Sequence, residues 1–352
     1  MPLALVTPST ATNLIRLARP RQWAKGAFVL IGPAYAVATG DRHMTPGMAV
    51  GLLAAFLAFG LASSACYIFN DIRDREADQA HPRKRSRPIA SGAVAIRTAL
   101  GMAAALVTLA GLATLLAAVG DRPGGGLGFS EPRHAAWLAV AVLAYIANTT
   151  LYSLFFKHEV VLDVISLAGG FVLRVLGGCA ATGVTPSVML LNVTFFLAMF
   201  LAFGKRLGER RTMRGDATAA RSVQQAYTDD LLRMAVVVTG VATLVTYAGY
   251  VQGSGSRYEW GFNLLWLTML PATYGLLRCI VLLERGTYDD PTELASRDRP
   301  LQLAVVVFAA ITGLVMAGVH LSPKVERRAY QEVESDGIRT SATLERVASV
   351  EA

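Results

Sequence analysis

Nine long apolar runs, separated by polar segments, constrain this chain more than any other feature: 25–39, 47–69, 98–119, 135–155, 160–182, 187–204, 232–252, 262–283 and 301–320. A helix needs about 20 apolar residues to cross the hydrocarbon core of a bilayer. In that core the backbone must satisfy its own hydrogen bonds, so only helices and closed barrels can span it. Each run is read as one such helix. The predicted fold is therefore all-α: a polytopic membrane protein, a helical bundle with nine transmembrane helices. The predicted organisation is an N-terminal cytoplasmic segment 1–24, a nine-span body 25–320 and a polar C-terminal tail 321–352.

Composition supports this. Of 352 residues, 53% are hydrophobic and only 16% charged, where a soluble domain carries about 25% charged residues. A soluble fold could not hide so much apolar surface behind so little charge, which excludes a soluble two-domain enzyme, a disulfide scaffold and a disordered chain. The net charge of +8 does not indicate nucleic acid, because the cations fall between the apolar runs. Cys66, Cys179 and Cys279 each sit inside an apolar run without paired spacing, so they read as buried thiols. Residues 34–36, Ala-Tyr-Ala, could mimic a signal-peptide cleavage site. Because further spans follow in close order, the first run reads as retained.

Cation placement sets the expected orientation. With the N-terminus inside, the inner segments hold 22 of the 33 Lys and Arg residues and the outer loops hold four. This is a strong positive-inside bias. It predicts a multi-pass protein of the inner (cell) membrane with its N-terminus in the cytoplasm. The outer loops are short and bland apart from the flexible turn at Gly124, Gly125 and Gly126, whereas the inner loops mix acids with bases. A catalytic site is expected at the cytoplasmic face.

The sharpest chemical signal follows the second run. Asn70, Asp74 and Asp78 recur every four residues, so on a helix they stack on one face, about 40° apart per step. Like charges at that spacing repel by a few tenths of a kcal/mol per pair. A divalent cation would turn the repulsion into coordination, and Mg²⁺ favours one or two carboxylates plus substrate phosphates. A solvated acidic helix end carries the same pattern. Directly after it comes the basic loop His81-Pro82-Arg83-Lys84-Arg85-Ser86-Arg87-Pro88. A positive-inside anchor explains the basicity of this loop but not its close alternation with acids. Carboxylates holding Mg²⁺ beside arginines that fork onto phosphate oxygens would bind a metal diphosphate.

These residues, with Arg87-Pro88-Ile89-Ala90-Ser91-Gly92, resemble the UbiA superfamily of intramembrane prenyltransferases. Within it the closer resemblance is to the branch of decaprenyl-phosphate phosphoribosyltransferases. It runs through Arg19-Pro20-Arg21-Gln22-Trp23-Ala24-Lys25, the stretch Tyr152 to His158, Leu162-Asp163-Val164, Gly170 to Arg174, Gly204-Lys205-Arg206, and Asp290 to Arg299. Members of the superfamily carry a second acidic motif on the fifth span. Here Asp163 opens that motif and Leu167 stands where its second aspartate would be. Either a second metal site is weakened, or the donor differs. The branch implies the latter. Its donor is 5-phosphoribosyl 1-diphosphate, its acceptor a polyprenyl (decaprenyl) phosphate lipid in the bilayer, its cofactor Mg²⁺, and its role the supply of arabinan precursors for the cell wall. The alternative is a polyprenyl-diphosphate-dependent aromatic (quinone or haem) prenyltransferase. A transporter would also carry intramembrane charges, but no internal repeat is visible.

The resemblance implies Asn70, Asp74, Asp78 and Asp163 as catalytic residues, the first three as metal ligands. Candidates to bind substrate phosphates are Lys25, Arg85, Arg87, Lys157 and Lys205, each of which could equally snorkel to headgroups. Asp163 and Arg174 are 11 residues apart, three turns, and so share a helical face. That face either lines the reaction cavity or, for Arg174, makes an ion pair with another span. Tyr152 and Asn148 share a face and could add hydrogen bonds or simply pack. His158 is expected to contact headgroups. The segment Asp289 to Arg299 reads as a lid or as a polar turn capping the last span. The sequence leaves monomer and homo-oligomer open, and the tail's role undecided.

Overall fold

The computed structural model describes residues 10–39, 41–80, 84–121, 126–129, 131–212, 227–253, 262–285 and 297–321. The C-terminal tail from 322, the residues at 81–83, 124 and 125, and the lid segment up to 296 lie outside the described residues. Helices dominate: α1 (Thr10–Ala18), α2 (Ile31–Ala38), α3 (Pro46–Arg73), α4 (Arg75–Ala80), α5 (Ile96–Leu115), α6 (Pro132–Leu154), α7 (Leu162–Thr182), α8 (Val188–Thr212), α9 (Asp229–Gly253), α10 (Met269–Glu284) and α11 (Arg299–Leu321).

Eight helical segments are long and apolar enough to cross a membrane: α3, α5, α6, α7, α8, α9, α10 and α11, with α5 and α10 extended by short 3-10 turns. The first apolar run differs from a plain helix. It winds as an 11-residue 3-10 segment, Pro20–Leu30, followed by the eight residues of α2. Of the run 25–39, residues 25–30 lie in the 3-10 segment and 31–38 in α2; at about 2.0 Å per 3-10 residue and 1.5 Å per α residue they cover about 24 Å, against a hydrocarbon core of about 30 Å. This stretch is not among the eight helices long and apolar enough to cross. One element was not expected. Val119–Asp121 and Leu127–Phe129 form a two-stranded antiparallel hairpin in the loop before α6, pinned when the Gly47 amide at the start of α3 donates to Asp121 Oδ1 at 3.1 Å.

Small residues let the helices close up. A Cβ at Gly178 of α7 would sit 1.9 Å from the Val29 carbonyl oxygen, so only glycine lets the 3-10 segment cross there. A Cβ at Gly60 would meet the Trp23 ring, whose Nε1 donates to Ser64 Oγ at 2.9 Å. Such small-residue seams are how membrane helices gain packing without a hydrophobic drive between them. Two cores result. One gathers Val29, Ala54, Phe59, Leu138 and Tyr145 around α3 and α6. The other gathers Phe200, Phe203, Leu207, Tyr227, Leu232 and Leu283 around α8 to α10. α7 serves both, giving Ala181 to the first and Val164 and Ala168 to the second. The outer helices turn large apolar side chains outward, among them Leu109 and Leu112 on α5, Val238 and Val241 on α9, and Val305 and Val306 on α11. In water this would be an aggregating surface; in hydrocarbon it is the expected exterior.

Candidate active site

The acidic segment keeps its helical hydrogen bonds across a small break. The Asp74 amide donates to the Asn70 carbonyl at 2.9 Å and the Asp78 amide to the Asp74 carbonyl at 2.8 Å. Asp74 itself caps α3 with φ −87° and ψ 9°, in the bridge region that many active-site residues occupy. The expected stack is therefore present, spread over the end of α3 and the start of α4. Asn70 Nδ2 donates to Asp74 Oδ2 at 3.1 Å.

Each carboxylate in this stack already has a cation. Lys157 Nζ donates to Asp74 Oδ1 at 2.6 Å. Lys157 is delivered by the 3-10 turn Phe156–His158, where α6 has ended at Phe155 in a non-helical conformation. Arg87 Nη1 donates to Asp78 Oδ2 at 2.6 Å and to Asp71 Oδ1 at 3.0 Å. Arg19 holds Asp71 through both of its oxygens, at 2.6 and 2.8 Å. A cavity of about 190 Å³ opens beside them, lined by Arg16, Arg19, Asp71, Ser86, Arg87 and Pro88. Asp71 and Asp78 are buried, whereas the Asp74 side chain is 23% exposed.

Asp163 lies in a different setting. Its side chain is 2% exposed. Arg206 Nε donates to Asp163 Oδ2 at 2.9 Å and Arg206 Nη2 contacts the same oxygen. The other oxygen accepts from the Tyr227 hydroxyl at 2.7 Å. That hydroxyl in turn accepts from the Val161 amide at 2.7 Å. Val161 has φ 72°, an outlier for a β-branched residue, so the tyrosine fixes a strained turn at the start of α7. Burial, and then the hydrogen bond to Asp163, push the Tyr227 hydroxyl pKa up, so it stays protonated and donates.

The remaining candidates divide. Lys25, Arg85 and Lys205 are exposed. The residue after Lys205, Arg206, is the one that turns inward. Tyr152 is half-buried, while Asn148 exchanges hydrogen bonds with Ser166, donating to its carbonyl at 2.8 Å and accepting from its hydroxyl at 3.0 Å. Arg174 makes no ion pair with another span among the described residues. It donates to the Gly170 carbonyl and to the Tyr145 hydroxyl, both at 2.8 Å. His158 is exposed. Asp298, part of the expected late segment, accepts from Arg278 Nη2 at 2.9 Å and from the Leu301 amide at 2.9 Å, so it caps α11. Sequence reasoning gave no site role to Arg19, Asp71, Arg206 or Tyr227, although Arg19 and Arg206 fall in stretches that carry the resemblance. Asp71 and Arg206 each adjoin a residue that was singled out; the other two are distant in sequence from their partners.

No three His, Cys, Asp or Glu side chains converge among the described residues. Asn70, Asp74 and Asp78 nonetheless supply an amide oxygen and two carboxylates, hard donors of the kind Mg²⁺ accepts alongside phosphate oxygens. The donor set fits that ion as part of a metal–diphosphate complex. Asp163 stands apart from this set, held by Arg206 and Tyr227.

Fold and site together define a polytopic helical membrane protein with an interleaved acid–cation cluster at one end of its bundle. The chain belongs to the UbiA prenyltransferase family, whose model matches residues 27–306. It is 33% identical over 333 residues to a decaprenyl-phosphate phosphoribosyltransferase of Mycolicibacterium smegmatis, covering 91% of this chain and 96% of that protein. A protein of the same name from Corynebacterium glutamicum is 32% identical over 323 residues, 89% of this chain and 88% of its own. Among solved structures, a UbiA homolog from Archaeoglobus fulgidus bound to DMAPP and Mg²⁺ superposes with a TM-score of 0.59 at 17% identity, over 87% of this chain and 99% of that one. The helical fold expected from the sequence is borne out.

Proposed function

We propose that this protein transfers the 5-phosphoribosyl group from 5-phosphoribosyl 1-diphosphate to a polyprenyl phosphate, releasing diphosphate. The near-full-length likeness to two proteins named for that activity supports the choice of substrates. The observation that carries the chemistry is the pairing of Asp74 with Lys157 and of Asp78 with Arg87. Such a site is neutral as it stands and can exchange partners with a bound metal diphosphate.

A phosphate oxygen of the lipid attacks C1 of the ribose. The bond from C1 to the diphosphate oxygen breaks, and the diphosphate leaves with the electron pair. The nucleophile is already an anion, so no side chain has to remove a proton. The barrier lies in separating charge at C1. Mg²⁺ bound at Asn70, Asp74 and Asp78 would neutralise the leaving group. Lys157 and Arg87, released from their carboxylates, bind phosphate oxygens. They hold two mutually repelling anions at reacting distance, which converts encounter into orientation. The exposed Lys25, Arg85 and Lys205 draw the anionic substrates toward the mouth. The cytoplasmic face is the side assigned to this site, since the donor is water-soluble and the cations concentrate there; the membrane is the inner one, and the product is a precursor for cell-wall arabinan.

The test is direct. Purified protein is incubated with Mg²⁺, radiolabelled 5-phosphoribosyl 1-diphosphate and a polyprenyl phosphate, and the lipids are extracted. Label in the lipid phase that depends on all three components is the expected result. Prenylation of an aromatic acid from a prenyl diphosphate, without labelled ribosyl lipid, would replace this reading with the alternative.

A further inference from the structure

The described residues hold four buried aspartates, and each has an arginine: Asp71 with Arg19 and Arg87, Asp78 with Arg87, Asp163 with Arg206, and Asp298 with Arg278. The same residues hold one buried basic side chain, Arg174, 5% exposed. Among them it has no carboxylate. Its partners are the Gly170 carbonyl, the Tyr145 hydroxyl, and the faces of Tyr145 and Phe171 at 4.5 and 5.5 Å from its guanidinium carbon. All are neutral. A cation inside a membrane bundle is costly, and those that persist usually pair or mark a substrate path. Aromatic faces offset part of that cost but leave the net charge in place. Every other buried charge in the described bundle is balanced within the protein, and this one is not.

Its position says what could balance it. Arg174 lies 11 residues beyond Asp163 on α7, about 16 Å along the axis, but its hydrogen bond to Gly170 turns the guanidinium back by one turn toward the acidic end. There it meets the polar seam between α6 and α7. A Cβ at Gly170 would lie 3.7 Å from Arg174 Nη1 and 3.8 Å from Asn148 Nδ2, and Asn148 holds Ser166 on the side nearer Asp163. We propose that Arg174 is the counter-cation for a substrate phosphate that enters the bundle interior, a site distinct from the Asp74–Lys157 and Asp78–Arg87 pairs. This rests on the phosphoribosyl-transfer reading, in which both substrates carry such a group. Depth favours the lipid acceptor, whose chain already occupies hydrocarbon.

Thermal unfolding of the full chain in detergent separates the cases. The ligands are polyprenyl phosphate, polyprenol without phosphate, and 5-phosphoribosyl 1-diphosphate with Mg²⁺. Wild type should be stabilised more by polyprenyl phosphate than by polyprenol. Arg174→Gln keeps hydrogen-bonding capacity but loses the charge. Affinity for one phosphate ligand should fall about ten- to hundredfold, the effect of a lost charged hydrogen bond, while the response to the other is kept; with the lipid as occupant, the preference for polyprenyl phosphate over polyprenol is erased. Loss with polyprenyl phosphate identifies the lipid, and loss with the soluble diphosphate identifies the donor. Arg174→Lys, which keeps the charge, should restore the preference. An Arg174→Gln protein that responds to both phosphates as wild type does overturns the proposal. Loss of both responses without rescue by lysine also overturns it, because Arg174 is then a packing residue. If Arg174→Gln does not fold, Arg174→Lys decides alone: a retained preference supports the site and a lost one rejects it. A wild type that responds to neither phosphate ligand fails the functional reading itself.

Discussion

Two aspartate sites in this bundle use the same chemistry to opposite ends. At Asp74 each oxygen has one partner, Lys157 or the Asn70 amide, and the side chain is 23% exposed. At Asp163 one oxygen takes two contacts from Arg206, the other takes the Tyr227 hydroxyl, and the side chain is 2% exposed. In the proposed reaction the first pair is taken apart by a ligand that offers a metal to the acid and phosphates to the cation. The second is more deeply buried, and a buried pair broken on one side leaves an uncompensated charge. Composition alone would have ranked the two sites alike. Accessibility separates them: the Asp74 pair is partly open, whereas Asp163 ties α7 to α8 and to the segment before α9. Both clamped ends also store backbone strain: Arg19 and Val161, the two non-glycine residues with positive φ among those described, adjoin Asp71 and Asp163 respectively. Strain of this kind persists where the surroundings over-determine it.

The largest expected effect breaks the exchangeable site. Asp74→Asn and Asp78→Asn should each lower label transfer into lipid by about a hundredfold or more, since a metal's charge stabilisation is worth several kcal/mol. Asp74→Asn, at a partly exposed carboxylate, should melt close to wild type, whereas Asp78→Asn should melt lower because its buried pair with Arg87 is weakened. Activity within a few-fold of wild type at saturating Mg²⁺ would reduce the acidic stack to a solvated helix end. Next comes the clamp. Asp163→Ala should destabilise the fold by about 3–5 kcal/mol by stranding Arg206. The double change Asp163→Leu with Arg206→Met should recover most of that loss in thermal unfolding. A folded, wild-type-stable Asp163→Ala with abolished turnover would move Asp163 into the catalytic group and erase the contrast.

A smaller effect sharpens the first site. If Lys157 neutralises Asp74 until the diphosphate arrives, Mn²⁺ alone should bind wild type weakly and bind well once inorganic diphosphate is present. Lys157→Met should let Mn²⁺ alone bind about tenfold more tightly, by removing a competing charged hydrogen bond, as read from the free-ion signal in electron paramagnetic resonance. Equal binding by both proteins would mean that the ion pair does not compete with the metal. The smallest effect concerns Asp298, a third setting. The hydrogen bond from Arg278, helped by the Leu301 amide, holds its carboxyl below the usual carboxylate range. A depressed value means that its stabilisation is fully present above the ordinary carboxylate pKa and is lost as pH falls through the lowered one. Asp298→Ala should cost about 1 kcal/mol as a lost helix cap, and its gap from wild type in thermal unfolding should close as pH falls.

How far each feature could be read before folding follows from its range in sequence. The spacing of Asn70, Asp74 and Asp78 is local, so periodicity alone stacks them. Arg87 was legible as a base beside the acids, and Lys157 as a cation within a stretch that carries the family resemblance. The choice between Lys205 and Arg206 was not readable: one step on a helix turns a side chain by about 100°, and the phase of α8 relative to α7 is set by packing of Phe200, Phe203 and Leu207. Asp71 was visible as a residue but not as the hub that Arg19 reaches from 52 positions away.

By itself the sequence determined that this chain is a helical membrane bundle with acids and bases gathered at one end. Long apolar runs leave the backbone no other way to satisfy its hydrogen bonds in hydrocarbon. The tertiary structure alone decided which charges are free to exchange. That depends on burial and on partners such as Tyr227, 64 residues from Asp163, and Tyr145, 29 residues from Arg174. Distances of that kind are closed only by helix packing, and no local pattern records them.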